Sequence, residues 1–257
     1  MKLRDLFEAM DLYKYHSNPE KLHGYDKKHM ATPEMAYGAL ESGKLNAQQK
    51  KEAESVVATD PRWAYEYACN VIKGRWPEAE PVIAKDPKWA YEYHYVIKGR
   101  WPEGEPAIAK DPKYAYWYAR GVIKGRWPEG EPAIAKNPQW AYEYAEDVIK
   151  ERFPKGEYVF AKDPELAYLY AHNVIKGRFP KGEPAIAKVP EYAYAYARYV
   201  IKGRWHEAEP VIAKNPELAF LYVRDVIKGR WPEGEPAIAK DPQWAKKYNE
   251  FIKGLSK

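Results

Sequence analysis

Apolar residues at Trp63, Ala64, Tyr67, Ala68, Val71 and Ile72 follow the three- and four-residue steps of one helical face. Arg62, Glu66, Cys69 and Asn70 fall on the other side of the wheel. Asp60 precedes the stripe as an N-cap whose carboxylate can accept from orphan amides. Pro61 takes the first helical position, where a missing N–H is harmless. Lys73-Gly74-Arg75 closes the helix, with a glycine suited to the first residue past the end and cations at the negative pole of the macrodipole. The pattern restarts at Trp76-Pro77-Glu78-Ala79-Glu80-Pro81-Val82-Ile83-Ala84-Lys85, and its Pro and Glu residues predict a second helix of about two turns.

The motif recurs. Prolines that open it stand at Pro61, Pro87, Pro112, Pro138, Pro164, Pro190, Pro216 and Pro242, spaced by 26 residues except for one step of 25. The short copy has Tyr93-His94-Tyr95-Val96 against Tyr67-Ala68-Cys69-Asn70-Val71, so it has lost one residue in its first helix. Seven full repeats therefore span 60–240, with a capping helix over 241–257, where Lys246-Lys247 replaces the apolar-facing Tyr65-Glu66. Thr32-Pro33-Glu34-Met35-Ala36-Tyr37 opens a degenerate repeat over 32–59, and 1–31 is expected to be an N-terminal helical cap. Such a pair cannot bury its apolar face alone, but stacked neighbours can. The expected fold is all-α, an α-solenoid of stacked two-helix repeats, one longer and one short helix per unit.

The unit resembles the helix-plus-short-helix units of HEAT-like and variant leucine-rich-repeat solenoids. Val-Ile-Lys-Gly-Arg-Trp-Pro-Glu, over roughly 60–255, more closely resembles tandem repeats of uncharacterised tailed-bacteriophage proteins. That resemblance implies a phage origin and, from it, a partner in the infected bacterium; it implies no particular activity.

What stays constant between repeats reads as structure. The second Tyr of the motif is present in every copy, from Tyr67 to Tyr248, and Trp76, Trp101, Trp127, Trp205 and Trp231 alternate with Phe153 and Phe179. These rings are expected to fill the core between repeats. Arginines from Arg75 to Arg230 are each followed five residues later by a glutamate, Glu80 to Glu235, which suggests ion pairing.

What varies reads as recognition. The Glu66 position becomes Glu92, Trp117, Glu143, Leu169, Ala195 and Leu221, and its neighbours include Arg120, His172, Arg198, Tyr199 and Arg224. An apolar row of Trp117, Leu169 and Leu221 with these cationic and aromatic flanks predicts a protein-docking face; the alternative is that the row packs half-buried against the next helix. The expected partner is a protein, and by the resemblance a bacterial host or defence protein that the solenoid binds and inhibits.

Composition narrows this further. The 257 residues hold 42 Lys and Arg against 37 Asp and Glu, a formal charge of +5. So slight an excess puts nucleic acid second among partners, with a structural or virion spacer third. Mean hydropathy is −0.75 and no apolar run nears the roughly 20 residues of a membrane helix. The opening Met1-Lys2-Leu3-Arg4-Asp5-Leu6-Phe7-Glu8 is too charged for a secretory signal, and Cys69 is the single cysteine. Both predict a cytoplasmic setting.

Chemistry is sparse. Residues 60–255 contain no Ser and no Thr, and no phosphate-cradling glycine loop or metal signature occurs. His16, His23 and His29 cluster but do not share one helical face. No catalytic residue, cofactor or metal is expected.

Overall fold

The computed structural model describes residues 30–255, and every regular element among them is a helix. The expected all-α architecture of repeated helix pairs, packed on their neighbours within each unit, is what forms. Residues 1–29 of the expected N-terminal cap, including His16, His23 and His29, lie outside the described residues, as do 256 and 257. The chain divides into two compact units, Met1–Ile108 and Ala109–Lys257.

In the first unit, α1 (Pro33–Glu41) and α2 (Ala47–Val57) form a hairpin where the degenerate repeat was expected. A reciprocal capping box between Asn46 and Gln49 starts α2. Two regular repeats follow: α3 (Pro61–Glu66) running on into Tyr67–Ile72, with α4 (Glu80–Ile83), then α5 (Pro87–Ile97) with α6 (Glu105–Ile108).

The second unit repeats the arrangement. Its longer helices are α7 (Pro112–Tyr118), α9 (Pro138–Glu143), α11 (Pro164–Leu169), α13 (Pro190–Ala195) and α15 (Pro216–Tyr222). Between them stand α8 (Glu131–Ile134), α10 (Glu157–Phe160), α12 (Glu183–Ile186) and α14 (Glu209–Ile212). α16 (Glu235–Ile238) and a final helix α17 (Pro242–Leu255) complete it. The short helices hold four residues, one turn and not the two expected, because turns at both ends take up the remaining residues.

The expected N-caps form. Asp60 Oδ1 accepts from the amides of Arg62 at 2.9 Å and Trp63 at 3.0 Å, and Asp86 and Asp111 do the same. Val189 heads α13 and offers its amides no side-chain acceptor.

The second half of most long helices departs from the α form. After α3 the Lys73 amide donates to the Ala68 carbonyl five residues back, and Tyr67–Ile72 is a π-helix. Five more π segments occur, at Ala119–Ile123, Tyr144–Ile149, Tyr170–Ile175, Tyr196–Ile201 and Val223–Ile227. The 25-residue repeat differs: α5 stays α-helical to Ile97, and the Lys98 amide donates to His94, four residues back. The one-residue difference therefore sits in the first helix, as expected, but the regular helix is the shorter one. Each 26-residue copy accommodates its extra residue as a π turn.

The helix end also differs from expectation. The left-handed residue is the lysine and not the glycine after it: Lys73, Lys98, Lys124, Lys150, Lys176, Lys202 and Lys228 all have φ between 53° and 59°. For a residue with a Cβ that conformation costs roughly 1–2 kcal/mol. The glycines that follow all keep negative φ, which is why Glu151 can replace one.

The rings fill the core as the sequence suggests. Tyr118, Tyr144, Tyr170, Tyr196 and Tyr222 are fully buried, as are Trp127, Phe153 and Trp231. At 150–250 Å² each, their burial amounts to roughly 4–6 kcal/mol per ring as an upper estimate. The indole N–H groups of Trp127 and Trp231 have no acceptor, consistent with phenylalanine standing at Phe153 and Phe179 in the same unit. A Cβ on Gly130 would come within 2.5 Å of the Trp127 ring, so the ring lies directly on that glycine.

Candidate functional site

Within each unit the invariant polar residues form a brace that joins one repeat to the next. In the second unit Arg152 donates to Glu157 from Nε at 3.0 Å and Nη2 at 2.7 Å, while the next repeat sends the Tyr170 hydroxyl to the same carboxylate at 3.1 Å. That hydroxyl accepts from the Phe153 amide at 2.9 Å. The bond explains why Tyr is kept at this position where other rings interchange. Equivalent Arg–Glu pairs form at every repeat, from Arg75–Glu80 at 2.8 Å to Arg230–Glu235 at 2.8 Å.

Electrostatics make the brace a strong one. Glu131 and Glu157 are 3% and 1% exposed, and burial alone would raise their carboxyl pKa values. Hydrogen bonds from Lys155 and Arg126 to Glu131, and from Lys181 and Arg152 to Glu157, outweigh it, so both stay below the ordinary carboxylate range. Burial pushes the Tyr144 and Tyr170 hydroxyls up to about 12. The carboxylates and hydroxyls of the brace are thus committed inside the fold.

The variable residues form a second junction on the long helices. Arg120 Nη1 donates to the Tyr116 hydroxyl at 3.0 Å, and that hydroxyl donates to Asp147 of the next repeat at 3.1 Å, with Arg120 and Asp147 3.4 Å apart. Tyr194, Arg198 and Asp225 reproduce the set, with Arg198 and Asp225 2.5 Å apart, and Arg224 adds a second cation on Asp225 at 2.6 Å. Between them the polarity inverts. Asn173 donates to the Tyr142 hydroxyl at 2.9 Å and to Glu146 at 2.7 Å, so the acid now sits on the earlier helix and the donor on the later one. His172 lies between Tyr168, with ring centroids 5.7 Å apart, and Tyr199 at 6.2 Å.

This locates each candidate residue. Trp117 is half-buried, 6.2 Å from the Trp140 ring with the Arg120 guanidinium 5.4 Å above it. Leu169 and Leu221 are likewise half-buried, as are Glu66, Glu92, Glu143 and Ala195 at the same position. Arg198 lies 4.9 Å over Tyr199, which is 45% exposed. Two local patches result, Trp117 with Arg120 and His172 with Arg198 and Tyr199, and the ionic partners Asp147 and Asp225 and the hydrogen-bond partner Asn173 belong with them. The one sequence signal for those partners is that an Arg four residues after the first Tyr coincides with an Asp 31 residues after it, at Arg120/Asp147 and Arg198/Asp225.

Among the described residues no group of His, Cys, Asp or Glu could hold a metal ion, and no helix is long and apolar enough to cross a membrane. Comparison with known proteins finds no matching family model, curated protein or solved structure.

Proposed function

We propose that this chain is a non-enzymatic binding scaffold that engages a protein partner through the varied face of its long helices. The observation that carries the reading is a division of labour: invariant polar groups are consumed by bracing the repeats, while the residues that differ are gathered on one helix face and reach solvent. Trp, Tyr and Arg are the residue types that dominate binding energy at interfaces. Here Arg120 and Arg198 are held in place by a tyrosine hydroxyl and a neighbouring aspartate, yet Arg120 keeps 46% of its side chain exposed. Such preorganisation lowers the entropy lost on binding.

The likeness of the repeat to those of tailed-phage proteins points to a bacterial host or defence protein as the occupant, and to inhibition as the outcome. The lone thiol of Cys69 fits a cytoplasmic setting. A tagged chain is expected to retain one stoichiometric protein from bacterial lysate. Replacing Trp117, Leu169 and Leu221 together by Glu, or the exposed pair His172 and Tyr199 by Ala, should release that protein with helical circular dichroism unchanged. Failure to retain any protein, or retention undiminished in both variants, overturns the reading.

A further inference from the structure

Within the second unit the π segments that end in Lys124, Lys150, Lys176, Lys202 and Lys228 pack side by side in chain order, so their ends form a row. Neighbouring packed helices stand about 8–10 Å apart, which sets the pitch of the row. In the first unit Lys73 and Lys98 line one shallow cleft together with Cys69, Gly74, Tyr95 and Val96, which places consecutive lysines side by side there too.

Backbone strain singles these residues out. A glycine follows every one of them except Lys150, and adopts ordinary negative φ. Exchanging the two residues would put the permissive residue in the left-handed position without altering composition. A cation near a helix C-terminus is favourable, but a lysine anywhere in the last turn supplies that without strain. Strain held this consistently points to a use for the side chain at that place.

The chemistry of the row is specific. All seven lysines are exposed, and none has an ion-pair partner among the described residues. The arginines two positions on are paired with their glutamates, so at the end of each long helix the cation without an ion-pair partner among the described residues is the lysine. An ammonium on a flexible stem suits phosphate oxygens as a point charge and requires no bidentate geometry. Three residues before each lysine of the second unit stand Gly121, Asp147, Asn173, Tyr199 and Asp225, so there is no aromatic ladder on which unpaired bases could stack.

We infer that the lysine row binds double-stranded nucleic acid through its phosphates, without reading sequence. This row adjoins the protein-docking face, since Tyr199 and Asp225 stand three residues before Lys202 and Lys228, but the inference does not rest on that reading. Five phosphate contacts give a salt slope near −0.9 per contact, or about −4.5 in all, so affinity should fall about 500-fold between 50 and 200 mM salt.

The test is fluorescence anisotropy of the full chain with a labelled 20-base-pair DNA duplex of arbitrary sequence across that salt range. Replacing Lys124, Lys150, Lys176, Lys202 and Lys228 by Gln should abolish binding. Lys176→Gln alone should flatten the slope by about 0.9. Exchanging Lys176 with Gly177 and Lys202 with Gly203 keeps net charge while moving the ammonium groups. These double exchanges should raise the melting temperature and weaken the duplex complex, whereas a diffuse charge effect would leave it intact. No binding at 25 mM salt, equal binding by the five-lysine variant, or a preference for polyglutamate over the duplex would each overturn the inference.

Discussion

The helix Pro87–Ile97 in the first unit and the helix over 138–149 in the second start alike, with a capped Pro and the series Trp-Ala-Tyr-Glu-Tyr, and end alike, on a left-handed lysine. Between those fixed points the first holds one residue fewer and is α-helical throughout, while the second passes into a π turn at Tyr144. Both ends are pinned, at the N-cap and at the chain reversal, so an added residue cannot shift either face. It is absorbed as a wider turn where helix meets reversal. The final helix Pro242–Leu255 makes the same point from another side. It carries Phe251-Ile252-Lys253-Gly254, similar to the other helix ends, yet stays α-helical without a left-handed lysine. The π turn and the strained lysine therefore do not follow from local propensity alone.

Deletions test this most sharply. Removing Gly121, which is exposed and has no heavy atom near its missing Cβ, should convert the π segment at Ala119–Ile123 to a plain α-helix like that of the short repeat. The unfolding free energy from urea titration should then change by no more than about 1 kcal/mol, the helix-interior penalty of the lost glycine. Removing Ala141 from the α half instead rotates Trp140 against Tyr144 by about 100° and should cost more than about 4 kcal/mol. Equal damage from the two deletions would mean that the π turn is not where the extra residue is held.

The pH profile comes next in size, and it should not distinguish the two kinds of helix, because both share the brace. Glu80, Glu131, Glu157, Glu183, Glu209 and Glu235 all have lowered carboxyl pKa values. Their stabilisation is complete above the unfolded value of about 4.3 and drains away as pH falls through the folded values. Tyr93, Tyr144 and Tyr170, raised to about 12, act in the opposite sense: their contribution is whole below about 10 and is lost as pH climbs through the folded value. Thermal melts should show a plateau between about pH 5 and 10 with loss on both sides, in the wild-type chain and the Gly121 deletion alike. A chain as stable at pH 3 as at pH 7 would contradict the brace.

The smallest effect concerns the lysines. Lys98→Gly and Lys176→Gly should each stabilise by about 1 kcal/mol, one after an α end and one after a π end. A gain at Lys176 alone would tie the strain to the π turn and not to the reversal common to both.

Much of this architecture was legible from periodicity. The cap at Asp60, the apolar stripe and the Arg-Glu refrain each act within one repeat, so one repeat displays them. Three features were not. The left-handed residue was expected at glycine because glycine bears that conformation most easily, yet the reversal falls one residue earlier. The difference of one residue was visible, but counting cannot say which copy is the regular one. The Tyr116–Arg120–Asp147 junction spans two repeats, and residues that vary invite a reading as free surface, whereas these three answer to one another.

That junction gives the repeats it joins an address. Excising 26 residues so that Asn173 takes the place of Asp147 would set an amide donor beside Arg120, two donors around one hydroxyl with the carboxylate gone. The helices could restack, but the seam would be marked by a charge without its counterpart. An array of near-copies is ordinarily prone to slipping in length; one whose modules recognise their successors carries its own check on order and number.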